Sequence, residues 1–148
     1  MYSISQVGKM MGFTPATLRY YESEGLLPFV KRKENGIRYF EEKDLDLLAT
    51  IRFMKDTGAS LGDIRNVIQL VMQGDETLQE RLSYYLDQEQ KIKDKIQQLS
   101  TDLKKVAWKI EYYQKAIEAG TEEVNQGEAG LYDLFYKDFD VDIEKKAN

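Results

Sequence analysis

Apolar positions recur at helical spacing near the start of the chain. Val7, Met10 and Met11 follow Ser3 and Ser5, either of which can act as N-cap, and Gln6 is placed to close a capping box on Ser3. Gly12 ends that short helix. Thr14 and Pro15 then restart the chain as N-cap and first helical residue, where the missing proline N–H costs nothing. The second helix runs to about Glu24, and Gly25 and Pro28 stop it. Two short helices across a glycine-containing turn make a helix-turn-helix pattern, which many helical hairpins share.

The pattern then becomes strand-like. Phe29-Val30-Lys31-Arg32 and Ile37-Arg38-Tyr39-Phe40 flank Lys33-Glu34-Asn35-Gly36, and Asn35-Gly36 favours positive φ and a tight reversal. A small basic hairpin directly after a helix-turn-helix reads as a wing. A third helix is expected from about Lys43 to Asp56, with Leu45, Leu48, Ile51, Phe53 and Met54 as its apolar stripe. Ser60 and Asp63 give a capping-box signature for a fourth, which buries Leu61, Ile64, Val67, Ile68 and Val71. Gly74 closes this first domain, residues 1–74.

From Asp75 to about Ala119 there is neither Pro nor Gly, so a helix of roughly 45 residues, about 67 Å long, is uninterrupted. Leu78, Leu82, Tyr85, Glu89, Ile92, Ile96, Leu99, Leu103, Val106, Ile110, Tyr113 and Ile117 alternate by four and three along residues 75–119. So long an apolar stripe exceeds what the first domain can cover, and a partner helix is expected on it. Glu89 alone breaks the seam, either fixing register or marking where the helices splay. In residues 120–148 the heptads stop. Thr121 to Ala129 reads as a loop, and the aromatic run from Leu131 to Phe139 as a short amphipathic helix or a packed segment, with a frayed end through Asn148. The expected fold class is mainly α: a winged helix-turn-helix domain with a small β-hairpin, followed by a long dimerisation helix.

Composition narrows the chemistry. The chain has no Cys and no His, which removes disulfides, thiolate and imidazole metal ligands, and the commonest general base. Nothing resembles a signal peptide or a membrane span, so a cytoplasmic protein with no membrane partner is expected. The net charge is −5, but residues 1–40 carry six Lys/Arg against three Asp/Glu, whereas residues 120–148 carry three against eight. One end suits phosphates and the other repels them.

The candidate contacts lie on that basic end. Arg19 has the planar fork to grip a guanine edge or a phosphate. Thr14 and Thr17 present hydroxyls at a helix N-terminus, which already favours phosphate. Tyr20 can lie against the sugar-phosphate backbone, Leu18 should face the core, and Tyr21 reads equally as core. Lys31, Arg32, Lys33 and Arg38 charge the hairpin, with Asn35 in its turn and the Tyr39 hydroxyl beside it. No Gly-rich phosphate loop or paired catalytic carboxylates at a recognisable spacing appear, so no catalytic residue, cofactor or metal site is expected.

Thr17-Leu18-Arg19-Tyr20-Tyr21-Glu22, Gly25-Leu26-Leu27, Asn35-Gly36-Ile37-Arg38-Tyr39 and Gly58-Ala59-Ser60-Leu61-Gly62-Asp63-Ile64, in this order and spacing, resemble the MerR family of transcriptional regulators over residues 2–72. The resemblance implies DNA contacts from Arg19, Tyr20, Arg38 and Tyr39. It adds backbone contacts from the stretch Ser60 to Arg65 and an antiparallel dimerisation coil in the long helix. It also implies a dimer that binds a pseudo-palindromic promoter, bends and untwists it, and so engages RNA polymerase indirectly. Departures are equally clear. The cysteines that metal and redox sensors of the family carry near the end of the coil are absent, and the segment after the coil is far shorter than a drug-binding domain. A simple repressor or architectural protein shares all these motifs. A coiled-coil scaffold would leave Arg19 and the wing unexplained.

The effector is not legible by analogy. Tyr112, Tyr113, Tyr132, Phe135, Tyr136 and Phe139, with Asp133, Asp138 and Asp140, can be read as an acidic, aromatic pocket for an organic cation, or as packing against the coil or the partner. Glu122, Glu123 and Glu128 suit hard cations only weakly. Met10, Met11 and Met54 are read as core.

Overall fold

The computed structural model describes residues 1–138; Phe139, Asp140 and the end through Asn148 lie outside the described residues. The chain divides into two compact units, Met1–Tyr85 and a second beginning at Leu86.

The first unit contains α1 (Ile4–Met11), α2 (Pro15–Ser23), β1 (Lys31–Arg32), β2 (Arg38–Tyr39), α3 (Asp44–Asp56), α4 (Leu61–Gln73) and the start of α5 (Leu78–Ala119). Of the two serines that could open α1, Ser3 does so. Its hydroxyl accepts the Gln6 N–H at 3.2 Å, and the Gln6 side chain accepts the Ser3 N–H at 2.8 Å, closing the capping box. Val7, Leu18, Tyr21, Leu26, Phe40, Leu48, Ile51, Met54, Ile64, Val67 and Ile68 form one core drawn from all four short helices and the hairpin. Gly8 lets α1 come this close: a Cβ there would stand 2.6 Å from the Phe13 carbonyl oxygen. Two residues expected on apolar faces are instead largely exposed, Met10 at 52% and Phe53 at 49%. The buried arc of α3 follows Leu48, Ile51 and Met54; Phe53 falls outside it, and its ring meets Tyr85 at 5.9 Å. On α1, Val7 and Gly8 are buried and Met11 is partly buried, so the arc is narrower than its apolar spacing implied.

The hairpin is shorter than the sequence pattern. Lys31 pairs with Tyr39 and Arg32 with Arg38, while Phe40 leaves β1 and pairs with Tyr2 through two backbone hydrogen bonds of 2.8 and 2.9 Å. The reversal is not a two-residue Asn-Gly turn. Gly36 has φ +81° and its N–H donates to the Lys33 carbonyl at 2.8 Å, but Asn35 keeps a negative φ. Its side-chain oxygen accepts the Ile37 N–H at 3.1 Å instead, a local bond that steadies the turn without a left-handed residue.

The Asp44 carboxylate is buried and accepts the Glu41 N–H at 2.7 Å, ordering the approach to α3. Ser60 caps α4 by accepting the Asp63 N–H at 3.1 Å. After Gly74 the chain makes a 3₁₀ turn, Asp75–Thr77, so α5 begins at Leu78 rather than Asp75. Thr77 is the reason. It is 3% exposed, its hydroxyl proton is shared between the Leu70 and Gly74 carbonyls at 2.6 and 2.9 Å, and Arg81 Nε donates to its oxygen at 3.1 Å.

The second unit holds the remainder of α5, a helix of 42 residues in all. Where a loop was expected, Glu122–Asn125 forms a 3₁₀ turn capped by Thr121. The Thr121 N–H donates to the Ala116 carbonyl at 3.0 Å and the Asn125 amide to the Tyr112 carbonyl at 3.2 Å, laying this segment back on the last turns of the helix. The aromatic run makes a π-helical turn, Tyr132–Tyr136. Among the described residues, no helix is long and apolar enough to cross a membrane.

Thr77→Val keeps the volume of the side chain and deletes both roles of its hydroxyl. It is expected to lower unfolding free energy by roughly 1–3 kcal/mol, because buried carbonyl and guanidinium groups lose a partner. Urea denaturation of both forms measures this, and an unchanged midpoint would remove Thr77 from its role in the α4–α5 turn.

Candidate nucleic-acid interface

The site is built on α2 and the hairpin. Thr14 caps α2, its hydroxyl accepting the Thr17 N–H at 3.1 Å, and the two threonine hydroxyls lie 2.8 Å apart. Leu18 and Tyr21 are buried, and the Phe13 and Tyr21 rings meet edge-on at 5.5 Å. That settles Tyr21 as core. With these two residues facing inward, helical spacing turns Arg19 and Tyr20 outward, and both are exposed. Arg19 makes no hydrogen bond or ion pair among the described residues, so its guanidinium needs no rearrangement to meet a ligand.

The wing is tied to α2 by one carboxylate. Glu22 Oε1 accepts from Arg32 at 3.0 Å, and Glu22 Oε2 accepts from Arg38 Nε. Arg32 also donates to the Gly36 carbonyl at 3.0 Å, which anchors the turn of the hairpin. Partial burial pushes the Glu22 carboxyl up, but the hydrogen bonds and charges of Arg38 and Arg32 together outweigh it and hold the carboxyl below its ordinary range. Lys31 donates to Glu41 at 2.7 Å, and Glu41 also pairs with Lys43 at 3.0 Å. The bond to Glu41 holds the Lys31 ammonium above its usual range. Lys33 and Asn35 are exposed at the tip, and Tyr39 is half-buried beside them.

The second cluster lies at α4. Ser60 is exposed but its oxygen is occupied by the cap. Arg65 donates to the Glu24 carbonyl at 2.7 Å and pairs with the Glu24 carboxylate at 3.3 Å, closing the C-terminal end of α2. Thus Arg32, Arg38 and Arg65 are all engaged by acceptors of α2 or its cap, whereas Arg19 and Lys33 are free of ion pairs among the described residues. Glu22 stands within the family-like motif, where its role as a clamp is not evident from the sequence alone. The signal was present as a single carboxylate amid basic recognition elements. Arg52 was missed altogether: it donates to the Gly12 carbonyl at 3.1 Å and stacks over Phe13 at 5.4 Å, bracing the turn before α2. Only its pairing in space could show that. Among the described residues, no group of three or more acidic side chains is arranged to hold a metal ion.

A helix-turn-helix whose second helix presents an exposed arginine, with a basic hairpin clamped beside it, is a winged helix-turn-helix domain of the nucleic-acid-binding class. The model of the MerR HTH family regulatory proteins matches residues 2–70. An uncharacterized HTH-type transcriptional regulator of Haemophilus influenzae is 38% identical over 120 residues, which are 81% of this chain and 89% of that protein. The crystal structure of HiNmlR, a MerR family regulator lacking the sensor domain and bound to promoter DNA, superposes with a TM-score of 0.67 at 37% identity, covering 83% of this chain and 98% of that one. A MerR family regulator of Bacillus thuringiensis gives 0.64 at 39% identity, over 74% and 96% of the two chains. The chain belongs to the MerR family of helix-turn-helix transcriptional regulators.

The Glu22 clamp has a pH signature. Its folded-state carboxyl titrates below the ordinary value of 4.5, so its contribution is complete above that value and is lost as pH falls through the lower, folded one. Glu22→Gln should destabilise the domain at neutral pH, and the difference from the parent should shrink below 4.5 and vanish only once pH has fallen through the lower, folded value. Unfolding free energies of the two proteins across that range check it; a difference independent of pH would show that the carboxylate charge is not what holds the wing.

Proposed function

We propose that the chain binds double-stranded promoter DNA as a homodimer and regulates transcription by distorting the DNA between two half-sites. The observation that carries this reading is Arg19, exposed and unpaired among the described residues, on a recognition helix whose wing is already held beside it. That a relative at 37% identity is seen on promoter DNA supports it. Arg19 and Tyr20 read or grip the half-site, and Thr14 and Thr17 meet phosphate at the α2 N-terminus. Lys31, Arg32, Asn35, Arg38 and Tyr39 form the wing contact, and Ser60 and Arg65 add contacts to the DNA backbone. Arg32, Arg38 and Arg65 then exchange or share their carboxylate partners with phosphates, while Arg19 makes new bonds only.

Dimerisation runs through Leu78, Leu82, Tyr85, Ile92, Ile96, Leu99, Leu103, Val106, Ile110, Tyr113 and Ile117 in an antiparallel coiled coil. Leu99, Leu103 and Ile117 are 66%, 69% and 80% exposed in the single chain. Burying a side chain of that size contributes about 1.5–3 kcal/mol, and a stripe this long left in water would be a large apolar patch. Residues 1–74 thus serve DNA binding, 75–119 dimerisation, and 120–148 a separate, effector-related role. Polymerase is engaged indirectly through the reshaped promoter. The chain carries no catalytic activity of its own and works in the cytoplasm.

Light scattering is expected to give about twice the 17.2 kDa of one chain, and Leu99→Asp should dissociate or unfold the dimer by forcing a charge into the seam. Arg19→Ala should cost roughly 1–3 kcal/mol per half-site in gel shifts, and Arg38→Ala should weaken all sequences alike and flatten the salt dependence. Unaltered binding and salt slope in the double variant would refute the assigned surface. Footprinting with a probe of DNA distortion separates the two modes of action: protection without central distortion would mean a simple repressor.

A further inference from the structure

The second unit has a feature that DNA binding and dimerisation leave unused. A cleft of about 140 Å³ opens beside the last turns of α5, lined by Trp108, Glu111, Tyr112 and Lys115 of the helix and by Asn125 and Glu128 of the returning segment. At the usual 3.6 residues per turn, those four helix positions lie roughly 130° or more from the centre of the seam through Val106, Ile110, Tyr113 and Ile117. A partner helix seated on the seam therefore does not itself fill the cleft.

Its lining has the chemistry of a cation site. The Trp108 and Tyr112 rings lie 5.4 Å apart at 31°, giving a shared aromatic wall. Glu111 and Glu128 bring two carboxylates against the single ammonium of Lys115, which stands 3.5 Å from one and 3.6 Å from the other. Both distances exceed the roughly 2.7–2.9 Å of a strong charge-assisted bond, and exposed pairs of this kind contribute little. The lysine is a loosely held, exchangeable occupant. The Asn125 amide nitrogen is already committed to the Tyr112 carbonyl, which leaves its side-chain oxygen as a further acceptor. Lysines already lie near aromatic rings of this unit, one of them beside the two rings of the cleft. Lys109 Nζ lies 5.6 and 5.5 Å from the Trp108 and Tyr112 centroids, and Lys105 Nζ lies 4.7 Å over Tyr136.

We infer that this cleft binds a small organic cation of the quaternary-ammonium class. The ligand sets its methyl groups on Trp108 and Tyr112 and its charge between Glu111 and Glu128, displacing the Lys115 ammonium. Among the lining residues two carboxylates outnumber one lysine, with Lys109 beside the rings but outside the lining, and the volume is well below the roughly 300–1,000 Å³ that drug-sized ligands occupy. The residues differ from those the sequence pattern suggested: Tyr112 is shared, but Tyr132 and Tyr136 are 64% and 42% exposed and do not line the cleft. The inference goes beyond the DNA-binding reading and does not rest on it.

Trp108 is the chain's one tryptophan, so its emission reports on the cleft directly. The full-length protein, without DNA and at constant ionic strength, is titrated with choline and with its neutral isostere 3,3-dimethylbutan-1-ol. Choline should give a saturable change and the alcohol none at equal concentration. Glu111→Gln and Glu128→Gln should each raise the choline Kd several-fold, and Lys115→Met should lower it several-fold by removing the internal competitor. Arg19→Ala should leave the titration as it is, which separates failure of this site from failure of the DNA-binding reading. A linear, unsaturable response, an equal response to both compounds, or weaker binding by Lys115→Met would overturn the proposal. The parent protein's own titration decides the matter should a carboxylate variant lose its fold, as circular dichroism would reveal.

Discussion

Leu18 and Tyr21 set what α2 can present. Both are driven inward by burial against a core that includes Val7, Phe13 and Ile51, and a helix of nine residues has little freedom to rotate once two positions three apart are buried. Arg19 and Tyr20, lying between them in sequence, are therefore turned to solvent. The close approach of α1 at Gly8 and the cap at Thr14 serve the same end, because they hold the start of α2 where those two side chains reach the core.

Glu22 extends that rigid placement to the hairpin. Two strands of two residues each cannot hold a fixed orientation by their own hydrogen bonds. The two arginine bonds to Glu22, the Tyr2–Phe40 bridge and the buried Phe40 ring supply the missing constraints. Using arginines for this has a consequence. A guanidinium offers five donors, so Arg32 and Arg38 can keep Glu22 and still have donors to spare for phosphate. Positioning and recognition need not compete fully for the same side chain, which is how a very small wing can be both ordered and basic.

The second unit follows another logic. Along α5 the apolar stripe is exposed and residues outside it form i,i+4 pairs such as Asp87–Lys91 and Glu111–Lys115, while Glu89, within the stripe, pairs with Lys93. Such pairs contribute only tenths of a kcal/mol each, so the large unrealised term is the seam. At the far end the returning segment covers Ala116 and engages Tyr112 and Lys115 on the other side of the helix. The two faces of one helix thus carry separate chemistries, apolar on one and aromatic-acidic on the other.

Local signals in the sequence were enough to specify the caps at Thr14 and Ser60, the glycine stop at Gly12, the order of elements and the uninterrupted course of α5, because each depends on residues within a turn or two; between Ser3 and Ser5 as the cap of α1 only the structure chose. On α2 the period was enough to turn Leu18 inward and Arg19 outward, while Tyr21 was left open and its burial against Phe13 decided it. Contacts distant in the chain were decided only by the tertiary structure. Phe53 looks like core until Leu48, Ile51 and Met54 define a narrower buried arc. Thr77 looks like a helical residue until the Leu70 carbonyl and Arg81 engage its hydroxyl. Arg32, Arg38 and Arg65 look like free phosphate ligands until Glu22 and Glu24 are found against them. Periodicity records which side of an element is apolar, whereas pairing depends on where another element's atoms come to lie, and that information is absent from any short window of sequence.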